Sequence, residues 1–580
     1  MPQSEAPQRG RVAVDSNGAP LTWKAHLSSP DAARRAATER ALAETGIFPL
    51  DEHNASLLDA VMPLRWEDAA PNDGFVYDLI AVGSGAGGLI SAKQSARRGA
   101  RSALISAHLA GGDCLTAGCV PSKALIRCAR AAREGRRAAD FGVGASAGPV
   151  DFGAVMQRMR KLRAQIAPAD AHVATTAVGA DVYQGFGRFT GPNTIEVNGK
   201  ILRFRKAVVA TGGSPAVPNI PGLKETPFTT NNNLFNLTVL PPRMVVVGGG
   251  PVGLEMAQAF ACMGSKVTVL LRSNVLLPKE DADAAAIVKA ALVSDGVEFV
   301  YGVSFTEVEH TPAAGKAFPK ISVVVKQGQV EKTFECEVLL VATGRKPNVQ
   351  GLGLENAGVD FDLKTGVKID DACRTSNADI YAVGDCCTPF QFTHVAGAMA
   401  SAVVQNSLFG GNVKFSELLI PWCTFTEPEV AHVGLYERDF SALGLECDTY
   451  AATLAHVDRA ILEGDDEGFV KIHCKKGTDE ILGATIVAAH AGEMISELTL
   501  AIQAKVGLGF LGRVIHPYPT VAEAIQSCGV SYNRSQWLTL KDGKVERKRP
   551  TFKMPNLSAA SVALGVAAGV AATLLLVKRR

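Results

Sequence analysis

Two stretches of this 580-residue chain carry one pattern: an apolar run, a Gly-x-Gly-x-x-Gly turn, a stretch of helical spacing and a second apolar run. In the first, Tyr77–Val82 reads as a buried strand, Gly83, Gly85 and Gly88 make the turn, Leu89–Arg98 has helical spacing and Ser102–Ser106 is the next strand. In the second, Arg243–Val247 leads into Gly248, Gly250 and Gly253, then a helix from Leu254 to about Met263 and a strand over Lys266–Leu271. A lone glycine triplet means little. Flanked by strand and helix, it defines a βαβ unit whose missing side chains let backbone N–H groups approach a pyrophosphate at the helix N-terminus. Two such units imply two dinucleotides and two Rossmann-like α/β domains.

The residue ending the second strand of such a unit selects the ribose: an acid accepts from a 2′-hydroxyl, and an arginine nearby suits a 2′-phosphate. In the second unit Leu271 is followed by Arg272, with Lys279 further on, so NADPH fits better than NADH; Arg272 as a plain surface charge is the competing reading. The first unit ends in Ser106, which still offers a hydroxyl for a ribose contact.

Cys114 and Cys119 stand in a glycine-rich turn that opens a helical segment, with four residues between them. One helical turn brings such side chains within bonding distance, whereas a Cys-x-x-Cys zinc knuckle needs a matching second pair that the sequence lacks. A helix N-terminus just after the pair lowers a thiol pKa. With 12 cysteines in so long a chain, and no secretory signal read at the N-terminus, a reducing compartment is the expectation. A formal net charge of +2 argues against nucleic acid as partner.

The order of Gly83–Gly88, Cys114-x4-Cys119-Val-Pro-Ser-Lys123, Ala210–Pro215, Gly248–Gly253, Ala342–Arg345 and Ala382–Asp385 resembles that of pyridine nucleotide-disulfide oxidoreductases, and within them mercuric reductase-like flavoproteins. The resemblance runs from about Tyr77 to Cys528. It implies FAD and NADPH as cofactors, with Cys114 as the sulfur that meets substrate and Cys119 as the one against the flavin, both holding Hg(II) transiently if mercury is the acceptor. It further implies FAD contacts from Thr211, Gly212, Gly384 and Asp385, a Lys123–Glu255 ion pair near the flavin, and Gly344 at a nucleotide. FAD-binding units usually end in an acid where this chain has Ser106.

Two departures stand out. Where disulfide reductases place a catalytic histidine, aligning on Pro519-Thr520 and Glu523 puts Tyr518; mercuric reductases also have tyrosine there. His516 shares a face with Tyr518 on an extended segment and reads as a stand-in base or as a structural residue. Mercuric reductases also carry a C-terminal vicinal cysteine pair, and no cysteine follows Cys528; Cys386-Cys387 is vicinal but follows the flavin-binding turn directly.

The expected fold class is α/β, with two Rossmann-like dinucleotide-binding domains, a C-terminal α+β dimerisation domain and a C-terminal transmembrane helix. The segments are a 1–76 extension, an FAD domain over 77–237, a nicotinamide-nucleotide domain over 238–346, a central segment over 347–415 completing the FAD site, a dimerisation domain over 416–530, a basic tether over 531–555 and a spanning helix over 556–577. The extension reads as a surface wrap with one helix, capped at Ser29-Pro30-Asp31 and stopping at Gly46. Leu557–Val577 is free of charge, so the expectation is a tail-anchored homodimer with its enzyme domains on the cytosolic side. The acceptor is a small molecule or metal ion. A flavin-only quinone or diaphorase activity, and a nucleotide-binding redox sensor without turnover, are the alternatives.

Overall fold

The computed structural model describes residues 10–536 apart from 15–17, 19, 28–31, 71, 73, 145–147 and 316, together with 540–541 and 544–545. The chain divides into two compact units, one holding residues up to Leu418 with Thr424–Glu427, the other Leu419–Cys423 and the residues from Pro428.

The first unit contains both dinucleotide folds. Val76–Val82 pairs in parallel with Ser102–Ser106 on one side and Lys200–Val209 on the other, and Ala180–Gln184 and Ile380–Ala382 extend the parallel part of the sheet. The late strand Ile380–Ala382 brings the Gly384-Asp385 turn back to this sheet. The second fold is a four-stranded parallel sheet, ordered Val297–Val300, Lys266–Leu270, Arg243–Val247, Val338–Val341. In the helix Pro251–Met263 every residue from Gly253 onward is buried, as an element covered on all sides requires.

The extension is packed rather than draped. The structure gives it helices at Trp23–Leu27, Ala32–Thr45 and Glu52–Val61 where the sequence suggested one. The stop at Gly46 is present, with a φ of +68°; the expected cap at residues 28–31 lies outside the described residues. Leu57, Leu58 and Val61 are fully buried against Ala110, Leu115 and Ala167, and at roughly 2 kcal/mol for each large aliphatic side chain this ties the segment firmly to the fold.

The second unit is built on an antiparallel sheet of Glu429–Gly434, Ile481–Ala488, Phe469–Lys475 and Cys447–Thr453, with helices Ala491–Gln503 and Glu523–Ser535 closing its core.

The transmembrane helix requires correction, and with it the tail anchor and the membrane location. No helix among the described residues is long and apolar enough to cross a membrane, and residues 556–577 lie outside them. The longest described helix, Cys119–Arg137 with 19 residues, carries Lys123, Arg127, Arg130, Arg133, Glu134, Arg136 and Arg137, a charge load that suits a solvated face.

Candidate active site

The turn Gly111–Gly118 holds a short helix, Gly112–Thr116, and Cys119 begins the long helix that follows. Cys119 is exposed and Cys114 half-buried. Cys119 Sγ lies 3.4 Å from Thr393 Oγ1. The neighbouring Cys114 thiol, then Thr393 and the charge of Lys123, lower the Cys119 pKa to about 6 against the opposing effect of burial. Cys114 is raised, first by the neighbouring Cys119 and then by burial. Of the two thiols, Cys119 is therefore the one that ionises more readily.

One helical turn further on, Lys123 Nζ lies 2.8 Å from Glu255 Oε2 and sits over the Phe425 ring, 4.1 Å from its centroid. Glu255 is buried, and its other oxygen accepts from the Phe425 N–H at 3.0 Å.

The glycine turns meet the requirements of dinucleotides. A Cβ on Gly88 would lie 1.7 Å from the Gly83 carbonyl oxygen, so that position is closed by packing. A Cβ on Gly85 or Gly250 would meet nothing within 4 Å, which leaves both helix N-termini open to a phosphate. Gly212, with φ of +67°, and Gly344 are open in the same way. The residues present thus fit FAD at the first turn and a nicotinamide dinucleotide at the second.

Asp385 lies 3.0 Å from Arg345 Nε, and the same guanidinium reaches Asp113 at 2.6 Å, one residue before Cys114. Burial raises the Asp385 carboxyl against the lowering effect of Arg345. Thr211 donates to the Asn348 carbonyl at 2.6 Å. Ser106 is fully buried, its Oγ 2.7 Å from Ser84 Oγ and 2.9 Å from the His108 carbonyl, so its hydroxyl is spent on the turn. Arg272 is exposed, 5.6 Å from the centroid of the Phe305 ring. Cys386 is fully buried, its Sγ near the Val209 and Val383 carbonyls.

In the second unit Tyr518 is 72% exposed and donates to Asp458 at 2.9 Å, a bond that raises its pKa. His516 is held between the Val514 carbonyl and Glu497 Oε1, which lies 3.0 Å from Nε2. Glu523 accepts from the Thr520 N–H at 3.0 Å, and its charge adds to the raising of Tyr518.

The sequence reading missed Thr393, Arg345 and Asp113 as members of the site. Arg345 stood inside a quoted run; Thr393, 274 residues from Cys119, left no spacing signal.

The fold and site define a two-nucleotide reductase with a dithiol at its centre. The description pyridine nucleotide-disulphide oxidoreductase matches residues 77–400, and the dimerisation domain of the same family matches residues 420–528. The chain belongs to that family. Membership brings FAD and NAD(P)H as cofactors, and the matched dimerisation domain supports a homodimer. Mercuric reductase of Lysinibacillus sphaericus is 33% identical over 496 residues, covering 85% of this chain and 89% of that one. Dihydrolipoyl dehydrogenase of Bacillus subtilis is 32% identical over 465 residues, covering 77% and 96%. Among solved structures, LpdA of Mycobacterium tuberculosis superposes with a TM-score of 0.70 at 27% identity, covering 78% of this chain and 99% of that one. A copper(II) complex of the HOCl-induced flavoprotein disulfide reductase RclA of Escherichia coli, with TM-score 0.69 at 25% identity, covers 79% and 99%.

Proposed function

We propose that the chain is an NADPH-dependent flavin oxidoreductase whose Cys114–Cys119 couple reduces a thiophilic acceptor, Hg(II) or a small disulfide. The observation that carries this reading is geometric: Cys114 and Cys119 share one glycine-rich turn, with Cys119 Sγ 3.4 Å from Thr393 Oγ1 and the Lys123–Glu255 pair one helical turn further on. The Gly83–Gly88 turn would hold FAD and the Gly248–Gly253 turn the nicotinamide nucleotide, and the flavin would supply the two-electron link between NADPH and the cysteine disulfide.

The chain's own residues account for the rest. With a disulfide acceptor, the Cys114 sulfur attacks one acceptor sulfur while its proton passes to the departing one, which leaves as a thiol. The Cys119 thiolate then attacks the Cys114 sulfur of the mixed disulfide, expels the second acceptor sulfur as a thiolate that takes a proton from water, and restores the intramolecular disulfide. With Hg(II), the same two soft sulfurs form the ligand pair. The relatives named mercuric reductase support the metal, and the one named dihydrolipoyl dehydrogenase supports the disulfide. Arg272 supports the choice of NADPH. Tyr518 is proposed as the group presented to Cys114 across a homodimer; His516, tied to Glu497, and Glu523, tied to Thr520, are proposed in supporting places.

The test is NADPH oxidation by the FAD-loaded enzyme with Hg(II) and with small disulfides, in wild type and Cys114→Ser. Turnover that the substitution removes supports the dithiol route. Quinone reduction that survives it points to flavin-only chemistry, and absence of turnover with every acceptor defeats the proposal.

A further inference from the structure

Arg163 is a buried cation beside the redox turn, and the chemistry above makes no use of it. Its side chain is 1% exposed and its Nε has no hydrogen-bond partner. Burial, with Arg160 nearby, lowers its pKa to about 10 against the opposing charge of Asp51, so it stays a buried cation. A buried cation is expensive unless its hydrogen bonds do something in return. Nη1 donates to the carbonyl of Thr116, midway between Cys114 and Cys119, at 2.6 Å, and Nη2 donates to Asn54 Oδ1 at 2.8 Å. Asn54 belongs to the N-terminal extension.

The extension reaches the turn by two further routes. Asn231, in the short helix Asn231–Leu234, donates from Nδ2 to the Ala117 carbonyl at 3.1 Å, and two residues past that helix Asn236 donates to the Gly46 carbonyl at 2.7 Å and accepts from the Phe48 N–H at 3.0 Å. The Ala110 N–H donates to the Val61 carbonyl at 2.9 Å, and Leu115 packs among Leu57 and Leu58. Asp51, which caps the helix holding Asn54, also pairs with Arg160 Nε at 2.5 Å.

We infer that residues 46–61 are part of the redox site: through Arg163 and Asn236 they fix the Gly111–Gly118 turn, and so the spacing of Cys114 and Cys119. Arg163 and Asn54 are positioning residues and touch neither thiol. The inference rests on the dithiol reading for its chemistry, not for its geometry.

The test uses the full-length protein and compares Arg163→Met, Arg163→Lys, Asn54→Ala and Asn236→Ala. Trp66→Phe is the control, losing one extension bond, to the Val182 carbonyl, away from the turn. Two quantities are read: amide exchange across residues 111–118, and the pH midpoint of Cys119 alkylation in the reduced enzyme. Arg163→Met and Asn54→Ala should speed exchange about tenfold and move the midpoint up toward the ordinary thiol value of about 8.5, with Arg163→Lys partly restoring both. If Arg163→Met does not fold, Asn54→Ala carries the comparison. Exchange unchanged, or changed equally in Trp66→Phe, overturns the inference. If wild-type Cys119 titrates as an ordinary thiol, the dithiol reading fails on its own, and the exchange comparison still decides the role of the extension.

Discussion

Lys123 and Glu255, 132 residues apart, form an ion pair at 2.8 Å whose carboxylate is buried while its ammonium keeps about a third of its side chain in water. The asymmetry sets the mutational outcome. Lys123→Met leaves a buried carboxylate with only the Phe425 N–H, whereas Glu255→Gln removes the charge and still accepts from Phe425. Losing one partner of a fully buried pair costs about 3–5 kcal/mol; with about a third of the Lys123 side chain in solvent we expect about 2 kcal/mol for Lys123→Met and less than about 1 kcal/mol for Glu255→Gln. Urea unfolding of both variants and of the double variant measures this. A Glu255→Gln loss equal to that of Lys123→Met would contradict it.

The lowered Cys119 pKa fixes a pH dependence. A thiol with a pKa of about 6 stays ionised from alkaline pH down to that value and is protonated below it. In the reduced enzyme the flavin–thiolate absorbance should be constant from pH 9 to 7 and half lost near 6 as the pH falls. Thr393→Val removes one lowering contact, so its midpoint should rise by several tenths of a unit to about one unit. An anaerobic pH titration of both proteins checks the direction.

The two glycine turns predict opposite phenotypes for one chemical change. Gly88→Ala drives a Cβ into the Gly83 carbonyl, so it should lower soluble yield and stability whether or not FAD is present. Gly85→Ala meets no protein atom, so the chain should fold with an unchanged core and bind FAD at least tenfold more weakly. Thermal unfolding with and without added FAD separates them: the FAD-induced rise in Tm should shrink in Gly85→Ala.

Local periodicity made the nucleotide folds readable, because strand, glycine turn and helix lie within some thirty residues of one another. The cysteine pair was readable for the same reason. What escaped is what distant segments decide. Nothing near Ser106 says that its hydroxyl will turn to Ser84 and the His108 carbonyl. Nothing in the extension says that Asn54 will meet Arg163, 109 residues away, so a packed element passed for a wrap. Alignment on Pro519-Thr520 located Tyr518, but its bond to Asp458 and the tie of His516 to Glu497 depend on segments 60 and 19 residues off. The apolar composition of Leu557–Val577 suggested a spanning helix, and no described helix supplies one.

His172 is fully buried with neither ring nitrogen hydrogen-bonded, its ring edge-on to Trp66 at a centroid distance of 5.1 Å. Burial lowers its pKa from 6.5 to about 4. The folded state thus binds its proton less readily than the unfolded state, so stability is full above pH 6.5 and falls as pH drops from 6.5 through 4. A shift of that size is worth about 3 kcal/mol by pH 4. His172→Phe keeps a ring against Trp66 without a titratable group. It should leave Tm at pH 7 unchanged or slightly higher and should lose less stability than wild type between pH 6.5 and 4.5, as urea unfolding at a series of pH values would measure. Parallel acid profiles for the two proteins would show that His172 is charged or solvated in the native state and would remove the basis for this prediction.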